Sequence, residues 1–449
     1  MKINKFIASI MAVCVMGFGV PYVNAVMDNS VITAEAVGEY NYDCLEYTNY
    51  GSYIEITGCN DYATEVVIPE EINGVPVTSI GELAFYECNS LISVEIPDSI
   101  TSIGRLAFEE TLWLQEKQKE NPLVIVSNIL IDGTTCKGDV VIPDGVTSIV
   151  SQAFSGCESL TSIEIPDSVT KIEYQTFYGC ENLTSVTISD SVTSIEGEAF
   201  TFCSSLASIK IPDSVTSIGD YAFSRTLWLE EKQKENPLVI VNDILIDGEK
   251  CSGKVVIPDS VTSIAGSAFA SCDSLKSIEI PNSVTSIGRD AFYFCTGLIS
   301  VKISDSVTSI GNGAFSYCFD LKTITILNSD CDIADYDFTI SNAYDNANGK
   351  FYFNGTIYGY ENSTAQAYAE KYERNFVSLG KAPEKETGSG DMNGDNSVSV
   401  ADAVLLQSYI LGKQELTKEQ LKNADLTGDG LVDSFDMVML RHKLIENNK

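Results

Sequence analysis

Residues 160–180 read Leu160-Thr-Ser-Ile163-Glu-Ile165-Pro166-Asp-Ser-Val169-Thr-Lys-Ile172-Glu-Tyr-Gln-Thr-Phe177-Tyr-Gly-Cys180. Ile163 and Ile165 alternate with polar Ser162 and Glu164, the period of a half-buried strand. Pro166-Asp167-Ser168 supplies a turn. The stretch then recurs. Phenylalanines stand at 85, 108, 154, 177, 200, 223, 269, 292, 315 and 338, always 23 or 46 residues apart. Ile131 and Ile246 hold the two skipped places, so twelve rungs share one frame. Five residues before each Phe stands an Ile, or Val126 and Val241 at the skipped rungs. One unit cannot bury its own apolar side, so stacked units must do it together.

Two segments depart from the pattern without shifting the frame. Residues 111–133, TLWLQEKQKENPLVIVSNILIDG, return at 226–248 as TLWLEEKQKENPLVIVNDILIDG, five rungs later. Trp113 and Trp228 open a helix-like stretch that ends before Asn-Pro. Two apolar runs flanking a two-residue Ser-Asn or Asn-Asp link then read as a hairpin. A structural variant rung whose Trp caps the core is the plainer reading; a duplicated binding knob is the alternative.

The unit Ile211-Pro-Asp-Ser-Val-Thr-Ser-Ile218-Gly-Asp-Tyr-Ala-Phe223 resembles the BspA-like leucine-rich repeat family. So do Ile54-Glu-Ile-Thr-Gly at the start and Ile357-Tyr-Gly-Tyr-Glu-Asn-Ser-Thr-Ala-Gln-Ala-Tyr-Ala-Glu at the close, and the likeness spans 37 to about 379. It implies an α/β-type solenoid of 23-residue repeats, curved, right-handed and built mostly of short strands. It also implies a non-catalytic role in adhesion or protein contacts.

Of thirteen cysteines, Cys88, Cys157, Cys180, Cys203, Cys272, Cys295 and Cys318 each follow the repeat Phe by three. One column is the signature of a small apolar filler. Rungs about 4.8 Å apart with parallel side chains suit a disulfide poorly. Buried thiols are expected there, and Cys44, Cys59, Cys136, Cys251 and Cys331 stay open.

Lys plus Arg total 28 against 63 Asp plus Glu, a formal charge of -35. Phosphate binding needs clustered cations, so nucleic acid is excluded as the main partner. The single histidine, His442, removes imidazole-based triads and the usual zinc sites. Residues 1–25 carry Lys2 and Lys5, an apolar run from Phe6 to Gly19 and a small-residue end at Ala25, the layout of a secretory signal peptide. No segment is long and apolar enough to span a bilayer. The expected division is 1–25 signal, 26–62 N-terminal cap, 63–379 solenoid, 380–389 linker and 390–449 a terminal module.

That module holds two loops of one design. The first carries Asp391, Asn393, Asp395, Ser397, Ser399 and Asp402; the second, Asp425, Thr427, Asp429, Leu431, Asp433 and Asp436. Oxygens at places 1, 3, 5 and 12, with a carbonyl at 7, make a calcium loop, so two ions are expected. Asn396 and Gly430 at the sixth place suit the left-handed turn. Helical patterns follow, carrying Val404, Leu405, Ser408, Tyr409 and Leu411, then Met437, Val438, Leu440 and Leu444.

Both loops end in Asp rather than Glu, and Gly-Ser-Gly precedes the first, which resembles a type I dockerin over 390–449. The resemblance implies a small all-α calcium-binding fold with two F-hand loops and a scaffoldin cohesin as partner. By that likeness the contacts are Val400, Ala401, Gln407, Ser408, Ser434, Phe435, Arg441 and His442. The pairs Val-Ala and Ser-Phe differ, against a two-fold exchange of binding modes.

Two function classes follow. One is a secreted, non-catalytic component of a cellulosome-like complex, whose solenoid meets a protein, a cell surface or a glycan. The other is a polysaccharide-degrading enzyme with a site grafted on the solenoid, since glycosidases need only two carboxylates. Too few residues lie outside the repeats and the terminal module for an independent catalytic domain, so no enzyme is expected. A calcium-dependent adhesin without a scaffold partner is a third reading.

Overall fold

The computed structural model describes residues 44–60, 62–383, 389–428 and 430–447. The signal segment, most of the N-terminal cap segment and the linker core 384–388 lie outside them. The chain from 44 to 383 is a β-solenoid of about 14 turns with few helices.

Each rung contributes to three parallel ladders. The first joins strands such as Leu160–Glu164, Ser185–Thr187 and Ser208–Lys210 in register, Ile163 opposite Val186 and Val186 opposite Ile209. The second joins two-residue strands, Ile172 to Ile195 to Ile218. These columns point inward because successive side chains on a strand alternate faces. The polar partners Glu164, Lys210, Glu279 and Lys302 are exposed.

The third ladder is not strand. Around the Phe of a regular rung, three alternate N–H groups donate to the next rung, as from Gln175, Phe177 and Gly179 to the carbonyls of Gly197, Ala199 and Thr201 at 3.1, 2.8 and 2.8 Å. All three can point one way only if the backbone alternates handedness. Gln175 (φ 54°) and Gly179 (φ 70°) are left-handed on either side of Phe177. Most rungs place a non-glycine there, at roughly 1–2 kcal/mol per residue. The inter-rung hydrogen bonds and the buried Phe ring between offset that cost.

The rings stack at 5.1 Å (Phe154–Phe177), 5.2 Å (Phe177–Phe200) and 5.5 Å (Phe200–Phe223). Such pairs contribute about 0.5–1.5 kcal/mol beyond burial. The cysteine column has its own hydrogen bond. The thiols of Cys180, Cys203, Cys295 and Cys318 donate to the Phe carbonyl of the rung before, at 3.0–3.2 Å. A small apolar residue with one weak donor therefore suits the place. Burial pushes the Cys272 and Cys318 thiols up to about 12. Cys136 and Cys251 extend the column: their carbonyls take the Cys157 and Cys272 thiols at 3.2 and 3.1 Å. Cys88 differs, its sulfur lying 3.0 Å from that of Cys59.

The two variant rungs replace a first-ladder strand by a helix, α1 (Leu112–Glu120) and α2 (Leu227–Glu235), each capped by a threonine hydroxyl. Their hairpins pair Val124–Val126 with Ile129–Asp132, and Val239–Val241 with Ile244–Asp247. The links Ser127-Asn128 and Asn242-Asp243 are left-handed at both residues, matching the twist of a tight hairpin. Here the sequence frame is corrected. Ile149 pairs with Leu130 and Ile264 with Leu245, so these leucines, not Val126 and Val241, fill the Ile column. Ile131 and Ile246 do not replace the ring; they are half-buried.

The Phe stack therefore breaks twice, and Trp113 and Trp228 close the broken ends, 4.5 Å from Phe108 and 4.9 Å from Phe223. That matches the capping expected of the tryptophans. Gly133 and Gly248 follow because a Cβ would meet the next Phe ring at 2.2 Å. A second correction falls at the end of the stack. Phe315 bridges Ile340, which is fully buried, and Phe338 packs outside against Phe351 at 5.5 Å. The frame slips by two residues at that rung.

The first turn is covered by an antiparallel pair, Leu45–Asn49 with Ile54–Cys59. The last strands are Thr356–Gly359 and Asn375–Ser378, flanked by α3 (Thr364–Lys371), which buries Ala365, Tyr368 and Ala369. Beyond the linker stand α4 (Val400–Ile410), α5 (Lys418–Ala424) and α6 (Ser434–Asn447). Their core is Met392, Leu406, Ala424, Leu426, Met437 and Leu440. α5 escaped the sequence reading, though Thr417-x-x-Gln420 is a capping box and both reciprocal bonds form.

Candidate functional site

The two acidic loops open α4 and α6 and share one hydrogen-bond scheme. At the first place, Asp391 accepts from the N–H groups of Gly394 and Asn396, both at 2.8 Å. Asp425 accepts from Gly428 and Gly430 at 2.6 and 2.9 Å. At the twelfth place, Asp402 accepts from Met392, Asn393 and Ser399 at 2.8, 3.0 and 2.9 Å. Asp436 does the same with Leu426, Thr427 and Asp433 at 2.9, 3.0 and 2.8 Å. Asn396 and Gly430 take the left-handed turn at the sixth place (φ 65° and 85°).

Asp402 and Asp436 are buried, and a buried carboxylate needs compensation. An ionised carboxylate has about four lone-pair positions; the three N–H groups, joined at Asp402 by the Ser399 hydroxyl at 3.2 Å, supply that compensation. Asp395 accepts from the Ser397 hydroxyl at 2.5 Å and the Asn393 amide at 2.8 Å, which hold its carboxyl below the usual range. The donors are all oxygen, which suits a hard cation such as calcium. Among the described residues no group of three or more His, Cys, Asp or Glu forms a metal cluster. Asp429 lies outside the described residues.

The ninth-place residues do something else. Ser399 caps α4, accepting from Ala401 at 3.2 Å, and Asp433 accepts from Phe435 at 2.7 Å. Ser397 and Leu431 at the seventh place are both exposed.

The structure sets the helix phase. Leu406 and Leu440, each four residues after the loop's last aspartate, are the fully buried positions. Val404, Leu411 and Val438, carried by the same helical patterns, are exposed. The buried aspartate fixes which side of each helix faces in, and i, i+4 residues share that side. Val400 (71%), Val404, Phe435 (68%), Val438 and Met439 leave an apolar surface beside the loops. Ala401, Gln407, Ser434, Arg441 and His442 are exposed too, while Ser408 is half-buried and donates to the Val404 carbonyl at 2.8 Å.

Residues 59–129, 133–244 and 248–347, more than half of the chain, match the BspA type leucine rich repeat region, in six copies. The chain belongs to the BspA-type leucine-rich repeat family. Residues 389–445 of this BspA-type protein match the dockerin type I domain. Repeats joined to a dockerin form the architecture of a cohesin-binding component, and both kinds of domain are typically non-catalytic.

No curated protein matches the chain. Among solved structures it is similar to a leucine rich cell surface protein from Faecalibacterium prausnitzii A2-165, at 24% identity and TM-score 0.33 over 78% of this chain and 96% of that one. A leucine-rich repeat protein from Bacteroides ovatus ATCC 8483 matches at 20% identity and TM-score 0.28, over 77% of this chain and 100% of that one. The pneumococcal vaccine antigen PcpA matches at 18% and 0.28, over 75% and 97%. Among the described residues no helix of the BspA-type protein is long and apolar enough to cross a membrane.

Proposed function

We propose that this protein is a secreted, non-catalytic component of a cellulosome-like complex. The dockerin binds two calcium ions, through Asp391, Asn393, Asp395, Ser397 and Asp402 in one loop. Asp425, Thr427, Asp429, Leu431 and Asp436 serve in the other. Ser399 and Asp433 act from the ninth place through the helix caps they make. A scaffoldin cohesin docks on Val400, Ala401, Gln407 and Ser408, and on Ser434, Phe435, Arg441 and His442.

One observation carries the reading: exposed Val404 and Val438 occupy the same place on the helices that follow two equivalent loops, joined by exposed Val400, Phe435 and Met439. A small module leaving so much apolar side chain in water is built to be covered. In this reading residues 1–25 direct export, 26–62 cap the solenoid, 63–379 form the recognition surface, and 380–389 link it to 390–449.

The test is titration of the purified mature chain against a set of scaffoldin cohesins, in calcium and then in chelator. Tight binding lost on chelation supports the reading. Failure to bind every cohesin in calcium overturns it, and a calcium-dependent adhesin then takes its place.

A further inference from the structure

The third ladder is interrupted where the variant rungs lack their turn. At the second, the N–H groups of Tyr221, Phe223 and Arg225 point along the ladder but have no acceptor among the described residues. In regular rungs the equivalent groups all donate, as Glu198, Phe200 and Phe202 do to Asp220, Ala222 and Ser224. On the far side, the carbonyls of Gly266 and Ala270 accept no backbone N–H, and only Ala268 is served, by Gly248 at 2.6 Å. Buried backbone donors without partners are rare, and Phe223 is 3% exposed.

Between these walls lies a cleft of about 640 Å³. Asp247 lines it, one oxygen accepting from Gln233 at 2.9 Å. Tyr221, which is exposed, and Ser267 line it too. The first variant rung has a smaller hollow of about 240 Å³. There Gln152 replaces Ser267, accepting from Arg105 across the gap and donating to Gln175 on the next rung. Thr134 also occupies the second oxygen of Asp132, at 2.8 Å. Small-molecule sites run from roughly 300 to 1,000 Å³, so only the second copy has the room.

The lining sets the ligand class. Glu230, Asp247 and Glu249 face Arg225, Lys234 and Lys250, a balanced set in a chain of net charge -35. An anion would satisfy the donor wall but meet Asp247; a cation would suit Asp247 but meet the N–H wall. Hydroxyl groups donate and accept at once. A peptide backbone also does both, but the donor wall is curled, left-handed at Tyr221 (φ 55°) and Arg225 (φ 61°), and does not match an extended strand.

We propose that the cleft at the second variant rung binds a neutral saccharide, with sugar oxygens on the three N–H groups and sugar hydroxyls on Asp247. The inference deepens, and rests on, the reading of the repeat region as the recognition surface. Cohesin titration reports only on the dockerin, so the two readings fail separately.

The experiment is calorimetric titration of the calcium-loaded mature chain with cellotetraose, xylotetraose and mannotetraose, alongside a set of extended decapeptides. At least one saccharide is expected to bind, and Ser267→Gln, which installs the residue of the first copy, to weaken it about tenfold or more. Tyr221→Leu, likewise borrowed from the first copy (Leu106), is the second variant should the first not fold. Gln152→Ser in the first copy is expected to leave the affinity unchanged. Absence of binding by all three saccharides overturns the proposal, as does binding indifferent to Ser267→Gln and Tyr221→Leu. Binding of a decapeptide alone, lost in those variants, also overturns it and assigns the cleft to a protein partner.

Discussion

The solenoid and the dockerin solve the same problem with opposite materials. In the solenoid each rung buries Ile, Val, Phe and Cys against neighbours of the same kind, and its polar groups pair with the adjoining rung. In the dockerin six buried residues make the core, and two of the groups sealed beside it are the carboxyls of Asp402 and Asp436. A long stack supplies apolar area on its own; a short module with buried carboxylates leans on a cation. In the proposed reading, one chain holds a part whose stability ignores calcium and a part whose stability is calcium binding.

The largest expected effect separates the two directly. Chelation, or Asp402→Ala with Asp436→Ala, abolishes cohesin binding and melts α4 to α6, while the solenoid transition keeps its midpoint. Calorimetry of the whole chain reads both, and a joint shift would break the contrast. Next, Phe177→Ala removes a ring held between two others and costs about 3–5 kcal/mol of solenoid stability. Phe435→Ala leaves both melting transitions in place yet weakens cohesin by about 2 kcal/mol, as an exposed anchor should. Equal effects of the two on melting would show that the exposed face is structural.

The Asp247 carboxyl is pushed up by burial to about 6, so it is harder to ionise in the folded chain than in the unfolded one. The native state holds the extra proton between roughly pH 4 and 6. Its contribution therefore falls as pH rises through that window, and ionised Asp247 costs stability at neutral pH. Asp247→Asn should stabilise at pH 7.5 by on the order of 1–3 kcal/mol and change nothing near pH 3, in denaturant melts at the two pH values. The smallest effect concerns sulfur. In the native state the buried thiols of Cys180, Cys203, Cys295 and Cys318 should resist a thiol reagent, and unfolding in denaturant should open all four to labelling.

Much of this was legible in order of residues because a repeat reports the same environment many times. Ile163, Phe177 and Cys180 each recur at a fixed step, and a step kept over many rungs leaves little freedom for the backbone. The loop aspartates were legible for a related reason, since ligand spacing is local. Helix phase was not: Val404 and Leu406 are both apolar, and only the Asp402 carboxyl held by three loop N–H groups turns Leu406 inward. Nor was Ile340, because Phe338 keeps the step while the backbone has slipped past it.

The sequence by itself determined the rung, its three buried columns and the two oxygen-rich loops, since each follows from periodicity or from ligands within twelve residues. Tertiary structure alone decided what the duplicated segment does. Residues 111–133 and 226–248 are nearly identical, yet one leaves a filled hollow and the other an open cleft. The difference sits in Gln152 and Ser267 on the following rung, 19 residues beyond either segment. A cavity belongs to the residues that face it from both sides, and only stacking brings those together.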